Sequence, residues 1–170
     1  MSGERPPPPA NRVAQDPSEL LAPAEMGAIS GLDFIKGMRD GRYSVPPIAQ
    51  LMNMELVEVE AGRVVFQGRA AFAHYNPIGT VHGGWFGTLL DSCMACAVHS
   101  MLPRGRGYTT LEYRVNLIRP AYEDTGLLLA EGRAVHVGRR TGVAEGRLSD
   151  GAGKLYATGT TTCLVMEIAG

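Results

Sequence analysis

Cysteine, net charge and blocks of basic residues are scarce in this chain, and each shortage excludes a class of protein. The 170 residues include 3 cysteines and 19% charged residues, with a formal net charge of -1. Three cysteines cannot build the disulfide framework of a small secreted protein. The sequence also has no cationic segment followed by an apolar core, which is the pattern of a signal peptide. A near-neutral charge without a Lys/Arg block is not the pattern of a nucleic-acid-binding protein. We therefore expect a reduced, cytoplasmic protein that binds no nucleic acid.

Several catalytic and metal-binding motifs are also missing. The sequence contains no G-x-S-x-G, the motif of many serine hydrolases. Residues 150–155 lack the glycine that a phosphate-binding loop has five residues before Gly153. Cys93, Cys96 and His99 are spaced by three residues, so on a helix they fan apart and do not converge on one ion. We expect the two cysteines to pack in the core, and we expect neither a metal ion nor another cofactor.

The longest apolar run, residues 83–101, is close to the length of a membrane-spanning helix. A carboxylate, Asp91, stands at its centre, and polar residues such as Thr88, Ser92 and Ser100 interrupt it. Sequence typical of β-strands flanks the run. A helix that is apolar nearly all round also occurs where a sheet wraps around it in a core. We therefore predict a buried central helix and no membrane span.

Proline divides the chain into two parts. Four consecutive prolines at positions 6–9 are followed by Pro17 and Pro23, and this composition predicts that residues 1–27 form a disordered tail. Residues 28–170 are predicted to form one domain, which is long enough for a sizeable core. Within it, Ser30 can cap a short helix over residues 31–39, and another short helix is predicted over residues 48–52.

Alternation of apolar and polar residues predicts six β-strands. A hairpin with its turn at residues 61–62 precedes the long helix, and its second strand extends to Phe72. After the helix, strands are predicted over residues 108–119, 127–137, 140–148 and 154–166. One face of the first of these carries Leu111, Tyr113, Val115 and Leu117. The loops are short, which predicts an α+β fold in which an antiparallel meander curls around the helix.

Short motifs follow one another in a particular order between residues 41 and 166. They are Pro46-Pro47-Ile48-Ala49, Asn76 and Gly79 ahead of His82-Gly83-Gly84, Asp91 nine residues after that histidine, Thr110-Leu111-Glu112, Arg119-Pro120-Ala121, Gly138-Arg139-Arg140-Thr141 and Gly153-Lys154-Leu155. With these spacings the chain resembles the hotdog-fold acyl-CoA thioesterases of the phenylacetate-degradation type. The resemblance implies a six-stranded antiparallel sheet wrapped around one long central helix, self-association into a dimer or a tetramer, and hydrolysis of an acyl-coenzyme A thioester.

Two glycines, Gly83 and Gly84, open the predicted helix. Their N–H groups lack acceptors within the helix, and with the positive end of the helix dipole they can stabilise the oxyanion that forms when a thioester carbonyl is attacked. Alternatively, the pair only permits a tight turn into a crowded helix. We favour the oxyanion role.

Asp91 is the candidate catalytic acid. It can activate water as a general base or attack the carbonyl as a nucleophile, and we prefer the base. A helix rises about 1.5 Å per residue, so Asp91 lies about 12 Å from Gly83, too far for both to contact one carbonyl. Two subunits with antiparallel helices would bring the acid of one to the helix start of the other. The alternative is a buried structural acid bonded to a hydroxyl such as that of Ser92.

The resemblance adds two catalytic candidates and places a third residue outside the catalytic set. Asn76 matches an asparagine that lies close to the thioester, although an Asn before Pro77 is also common in turns. Thr110 matches a hydroxyl that orients the water, with its neighbour Thr109 leaving the register open by one residue. His82 is expected to fix the loop and to contribute to substrate binding together with the helix start.

Coenzyme A and the acyl group need their own contacts. Arg119, Arg139 and Arg140 are the candidates for binding the phosphates of coenzyme A, although each is equally explained as a solvated arginine at a strand end. The helix residues Trp85, Phe86 and Met94 can line an acyl pocket or pack in the core. The acyl group itself is not specified by these residues.

Two other functions are compatible with the same fold. One is an acyl-CoA-binding module that does not hydrolyse its ligand. The other is a dehydratase or hydratase acting on acyl thioesters, which needs a histidine paired with an acid, and no such pairing is visible in the sequence.

Overall fold

The computed structural model describes residues 11–168. Its helices are α1 Pro23–Gly27, α2 Gly31–Arg39, α3 Ile48–Leu51 and α4 Gly83–His99, and its strands are β1 Met54–Glu60, β2 Arg63–Arg69, β3 Arg106–Leu117, β4 Leu127–Val137, β5 Thr141–Asp150 and β6 Leu155–Glu167. Ser30 caps α2 by accepting a hydrogen bond from the Asp33 amide, as predicted. The second strand ends at Arg69, earlier than predicted, and Phe72 lies exposed in a 3-10 turn.

The six strands form one antiparallel sheet in the order β1-β2-β4-β5-β6-β3, and α4 packs against it. The predicted α+β hotdog fold is therefore confirmed. The predicted meander is wrong in one place, because β3 pairs with β6 at the sheet edge and not with β4. The distance between β3 and β4 in the sheet is three strand spacings, roughly 14 Å. The connecting residues 118–126 can span roughly 30 Å when extended. A loop of this length therefore does not require a hairpin.

Helix α4 lies close to the strands behind it. Its residues Leu89, Leu90, Met94 and Val98 are fully buried. Glycines in the sheet permit this approach: a Cβ added at Gly132 of β4 would lie 2.2 Å from the backbone oxygen of Cys93. Within residues 11–168, no helix combines the length and the hydropathy needed to cross a bilayer.

The N-terminal segment, residues 11–27, packs on the domain. Val13 pairs with Val45 in a parallel bridge, and the Val45 amide and carbonyl bond to Arg12 and Ala14. The Asn11 side chain bonds to both the amide and the carbonyl of Leu56 on β1. The prediction of a disordered tail is therefore wrong for residues 11–27, since prolines at the first position of short helical turns are compatible with order. Residues 1–10 lie outside the described part of the chain.

A β-bulge changes which residues of β3 face the helix. The register with β6 shifts between Thr110 and Glu112, so Leu111 is the extra residue. Tyr113 approaches Gly87 of α4 and Leu117 approaches Gly83. Thr110 also points to the helix, where it bonds to Asp91. Strict alternation would have put Thr110 on the opposite face from Tyr113, and the bulge brings both to the same side.

Candidate active site

The start of α4 offers one free backbone donor. His82 is the N-cap, and its Nδ1 accepts a hydrogen bond of 2.8 Å from the Gly84 amide. The Gly83 amide has no acceptor anywhere in residues 11–168. This N–H, at the positive end of a 17-residue helix, is available to an anionic oxygen. Of the two predicted glycines, Gly83 thus fits the oxyanion role, and Gly84 is occupied by the cap that His82 forms.

Asp91 lies two turns further along α4, half-buried, and pairs with β3. The Thr110 hydroxyl donates a hydrogen bond of 3.0 Å to Asp91 Oδ1. Burial raises the pKa of Asp91 above its ordinary value of 3.8, and the bond from Thr110 partly opposes this by lowering it. Thr109 is exposed, so of the two threonines it is Thr110 that contacts Asp91. The expected alternative partner, Ser92, instead donates to the carbonyl of Thr88.

A cavity of about 410 Å³ opens beside this pair, and we call it the Asp91 cavity. Its polar part includes Asp91, Ser92 and Thr110, and most of its wall is apolar. The wall residues come from the N-terminal segment, α2, α3, β1 and β2, among them Leu20, Leu21, Met26, Phe34, Met38, Ile48, Leu56 and Phe66. Trp85, Phe86 and Met94 are not part of it, because they are buried between α4 and the sheet. Sequence reasoning missed the N-terminal part of this wall because that segment was expected to be disordered.

Asn76 holds the loop before α4. Its Oδ1 accepts hydrogen bonds from the amides of Ile78 and Thr80, and its Nδ2 donates to Thr80 Oγ1. This is the turn-forming role considered above, and it leaves one N–H of the side-chain amide for another partner. Asn76 precedes the Gly83 end of α4, whereas Asp91 and Thr110 form a separate group near the middle of the helix.

The predicted arginines fall into two groups. Arg139 and Arg140 border a surface pocket together with Arg106 and Glu167, and Arg106 contacts Glu167 at 3.6 Å. Arg119 follows the opposite end of β3, where its amide bonds to Tyr156. Arg106 was missed by sequence reasoning, because nothing in a strand-opening Arg-Gly dipeptide indicates its neighbours in space.

Of the two cysteines predicted to pack in the core, Cys93 does so, whereas Cys96 is partly buried and lines the Asp91 cavity. Cys93 and Cys163 are buried, and all three cysteines are free thiols. Burial raises the pKa of Cys96 to about 12 and that of Cys93 well above its ordinary value. Such thiols are protonated at neutral pH and are therefore poor nucleophiles and poor metal ligands.

Comparison with known proteins identifies the family. The phenylacetic acid degradation-related protein of Ralstonia eutropha JMP134 is 34% identical, with a TM-score of 0.70 over 77% of this chain and 98% of that protein. The family model of the thioesterase superfamily matches residues 78–157, which include α4 with Asp91. The chain belongs to the thioesterase superfamily. Its resemblance to thioesterases of the phenylacetate-degradation type and its assignment as a thioesterase are thereby confirmed.

Two further relatives of this thioesterase carry names that mention coenzyme A. The 1,4-dihydroxy-2-naphthoyl-CoA hydrolase of Listeria monocytogenes is 26% identical over 120 residues, 71% of this chain and 96% of that protein. A Streptococcus mutans UA159 protein, crystallised with acetyl-CoA, is 28% identical with a TM-score of 0.62, over 69% of this chain and 91% of that one. In this thioesterase the candidate acid is paired with a hydroxyl, Thr110, and not with the histidine that a dehydratase would require.

Proposed function

We propose that this thioesterase hydrolyses an acyl-coenzyme A to the free acid and coenzyme A, with each active site shared between two subunits. The observation that carries the proposal is the Asp91–Thr110 pair beside a largely apolar cavity. The Listeria relative, named a CoA-thioester hydrolase, and the Streptococcus structure with acetyl-CoA support coenzyme A as the thiol.

Asp91 serves as the general base in this proposal. It takes a proton from a water molecule whose oxygen attacks the thioester carbonyl. The tetrahedral intermediate places its negative charge on the former carbonyl oxygen, which accepts a hydrogen bond from the amide of Gly83 of the partner subunit. The C–S bond then breaks, and the leaving thiolate takes the proton from Asp91. A raised pKa makes the carboxylate a stronger base than an ordinary aspartate.

Thr110 and Asn76 act as positioning groups. The bond from Thr110 fixes one carboxylate oxygen of Asp91 and leaves Oδ2 to face the water. The remaining N–H of the Asn76 side chain lies in the loop that leads to the helix start and can add a second donor for the carbonyl oxygen.

The need for a second subunit follows from the length of α4. Asp91 and Gly83 are eight residues apart on one helix, about 12 Å. The free edge of β3 carries Leu111, Tyr113 and Leu117, which are 59%, 47% and 56% exposed. Antiparallel pairing of two β3 edges would cover these side chains and bring the Asp91 of one subunit toward the Gly83 of its partner. The assembly is then a dimer, or a tetramer built from two such dimers.

The same pairing supports a site for the coenzyme A phosphates. Arg106, Arg139 and Arg140 form a basic group at the start of β3. In an antiparallel β3 pair, the end of one β3 strand lies beside the start of the other. The Arg119 that follows the partner's strand would therefore lie nearer this basic group than the Arg119 of the same chain does. Arginines suit phosphates because their planar donors match phosphate oxygens in pairs.

The decisive experiment is a thiol-release assay with a panel of acyl-CoA thioesters. Asp91→Ala is expected to lower kcat/KM by at least about a hundredfold, the usual contribution of a general base. Asp124→Ala, which changes an exposed acid outside the site, is the matched control and should retain activity. Release that persists unchanged in Asp91→Ala would contradict the mechanism. Absence of release from every thioester would favour a binding module without hydrolysis.

A further inference from the structure

A second cavity, of about 360 Å³, adjoins the Asp91 cavity, and we call it the His99 cavity. Met26 of α1 and Tyr108 of β3 line both cavities, so these two side chains stand between them. The other residues around the His99 cavity are Pro23, His99, Gly107, Met166, Glu167 and Ile168. If either dividing side chain were smaller, the two cavities would join into one longer space.

The His99 cavity is suited to a hydrocarbon chain. Apolar side chains form most of its wall. The imidazole of His99 packs between the rings of Phe34 and Tyr108, with ring centroids 5.5 and 5.0 Å away. Burial lowers the pKa of His99 to about 4, so this ring is uncharged at neutral pH. Glu167 is the charged residue of the lining, and its side chain is 86% exposed to solvent.

The two dividing residues are held in place by the backbone around them. Tyr108 belongs to β3, which pairs with β6 along its length. The Met26 amide donates to the Ala22 carbonyl at 2.9 Å, and the carbonyl of the next residue, Gly27, accepts from the Gly105 amide at 2.8 Å. Met26 therefore lies directly beside a point where the N-terminal segment is attached to the domain.

Leu21 of the same segment provides a natural comparison with Met26. Both residues are half-buried and line the Asp91 cavity, but Leu21 does not reach the His99 cavity. In the described part of the chain, residues 15–26 form hydrogen bonds only with residues 13–29. Shortening Leu21 therefore enlarges the first cavity, whereas shortening Met26 also removes the division between the two.

The Asp91 cavity alone has room for an acyl group of limited length. A water molecule in the liquid occupies about 30 Å³, so 410 Å³ corresponds to about fourteen non-hydrogen atoms. The His99 cavity adds space for about twelve more. An acyl chain that exceeds the first cavity can continue within the protein only past Met26 or Tyr108.

We propose that Met26 sets the longest acyl group that this thioesterase hydrolyses efficiently, and that the His99 cavity behind it is a subsite for the end of a longer chain once Met26 is shortened. This proposal rests on the proposed hydrolysis of an acyl-CoA at Asp91. Met26 precedes residues 78–157, where the family model matches, so the length limit comes from the part of the chain outside that match.

The test measures kcat/KM along two series of increasing length, straight-chain acyl-CoAs from butanoyl to octadecanoyl and ω-phenylalkanoyl-CoAs from phenylacetyl upward. In the wild type, kcat/KM should fall at least about tenfold once the acyl group exceeds about fourteen non-hydrogen atoms. Each methylene removed from water is worth about fourfold. Met26→Ala should therefore raise the ratio of hexadecanoyl-CoA to decanoyl-CoA at least about tenfold while decanoyl-CoA is cleaved as before.

Two further variants separate the division between the cavities from general loosening of the N-terminal segment. Leu21→Ala enlarges only the Asp91 cavity, so octadecanoyl-CoA should remain a poor substrate. Met26→Trp keeps a bulky side chain between the cavities and should also exclude octadecanoyl-CoA. Equal gains on long chains in Leu21→Ala and Met26→Ala would contradict the role of Met26. An unchanged length profile in Met26→Ala, or a wild type that cleaves octadecanoyl-CoA as well as decanoyl-CoA, would overturn the proposal.

Calorimetric binding of the same thioesters to Asp91→Asn, with and without Met26→Ala, separates this proposal from the proposed function. If the wild type releases no thiol but Met26→Ala extends the length of acyl chain that is bound, hydrolysis is wrong and the role of Met26 is right. If release depends on Asp91 but neither kcat/KM nor Kd shifts toward longer chains in Met26→Ala, the role of Met26 alone is wrong. Absence of binding by every thioester would contradict both.

Discussion

At the scale of single residues, the carboxyl group of Asp91 links activity to stability. Burial raises its pKa above 3.8, so the folded protein holds this proton more tightly than the unfolded chain does. Folding stability is therefore lost as the pH rises from the unfolded-state pKa through the folded-state pKa, and the loss is complete above the folded-state pKa. Below the unfolded-state pKa the acid is protonated in both states and contributes no such loss.

Asp91→Asn should remove this penalty. The amide has no charge to desolvate, and its oxygen can still accept the hydrogen bond from Thr110. We expect a higher melting temperature than the wild type at pH 7, a smaller difference near pH 3, and at least about a hundredfold lower kcat/KM. Thermal unfolding at the two pH values measures this. A melting temperature at pH 7 equal to or below that of the wild type would contradict the role of burial.

Thr110 should control the pH dependence of the reaction. A base must be ionised, so activity is expected to fall as the pH drops through the folded-state pKa of Asp91. Thr110→Val removes the bond that lowers this pKa, so the acidic limb of the kcat/KM profile should move to higher pH. Thr110→Ser keeps the hydroxyl and should leave the limb in place. Superimposable profiles for Thr110→Val and the wild type would show that the bond has no such effect.

Single residues differ in how visible they are to sequence reasoning. Asp91 and Gly83 could be proposed as site residues because a lone acid and a glycine pair are conspicuous in an apolar run. Arg106 could not, because a cluster of arginines is a property of spatial neighbours. The sequence around Arg106 contains nothing unusual.

At the scale of elements, periodicity located the strands but not their irregularities. The six strands and α4 appear close to the predicted positions. The bulge at Leu111 was not predictable from alternation, and it is what turns Thr110 toward Asp91. The pairing of β3 with β6 was not predicted, because the length of a loop does not by itself determine whether it forms a hairpin or crosses over other strands. Composition likewise failed for residues 11–27, which gain order from contacts with Val45 and Leu56.

The close contact between α4 and β4 gives a prediction at this scale. A Cβ at Gly132 would lie 2.2 Å from the Cys93 oxygen and 2.6 Å from the Met94 nitrogen, and neither backbone atom can move without displacing the helix. Gly132→Ala should therefore lower the free energy of unfolding by about 1–3 kcal/mol. Gly151→Ala, where an added Cβ meets nothing within 4 Å, is the matched control. Equal denaturant midpoints for both variants would show that the helix adjusts at little cost.

At the scale of the whole molecule, the proposed active site requires a second copy of the chain to join its two groups of residues. Within one chain, Asp91 with Thr110 and the helix start at Gly83 lie two turns apart on α4. The apolar residues along the free edge of β3 are the surface that such a copy would cover. A monomer would leave this edge open to uncontrolled pairing with other strands.

Mixing two inactive variants tests whether the site is shared. Asp91→Asn removes the base, and Gly83→Pro removes the free amide proton. Proline is favoured at the first position of a helix, and the extended conformation of His82, with φ -63° and ψ 138°, is compatible with a following proline. Each variant alone should lose at least about a hundredfold in kcat/KM.

In a mixed dimer of the two variants, one of the two sites combines an intact Asp91 with an intact Gly83. Random pairing makes about half of the dimers mixed, so about one quarter of wild-type activity should return after co-expression. Two variants that both lack Asp91, Asp91→Asn with Asp91→Ala, should recover nothing when combined. Native mass spectrometry establishes whether mixed dimers form. If they form and activity stays at the level of the single variants, the acid and the oxyanion donor do not come from different subunits, because only a shared site can be restored by exchanging whole chains.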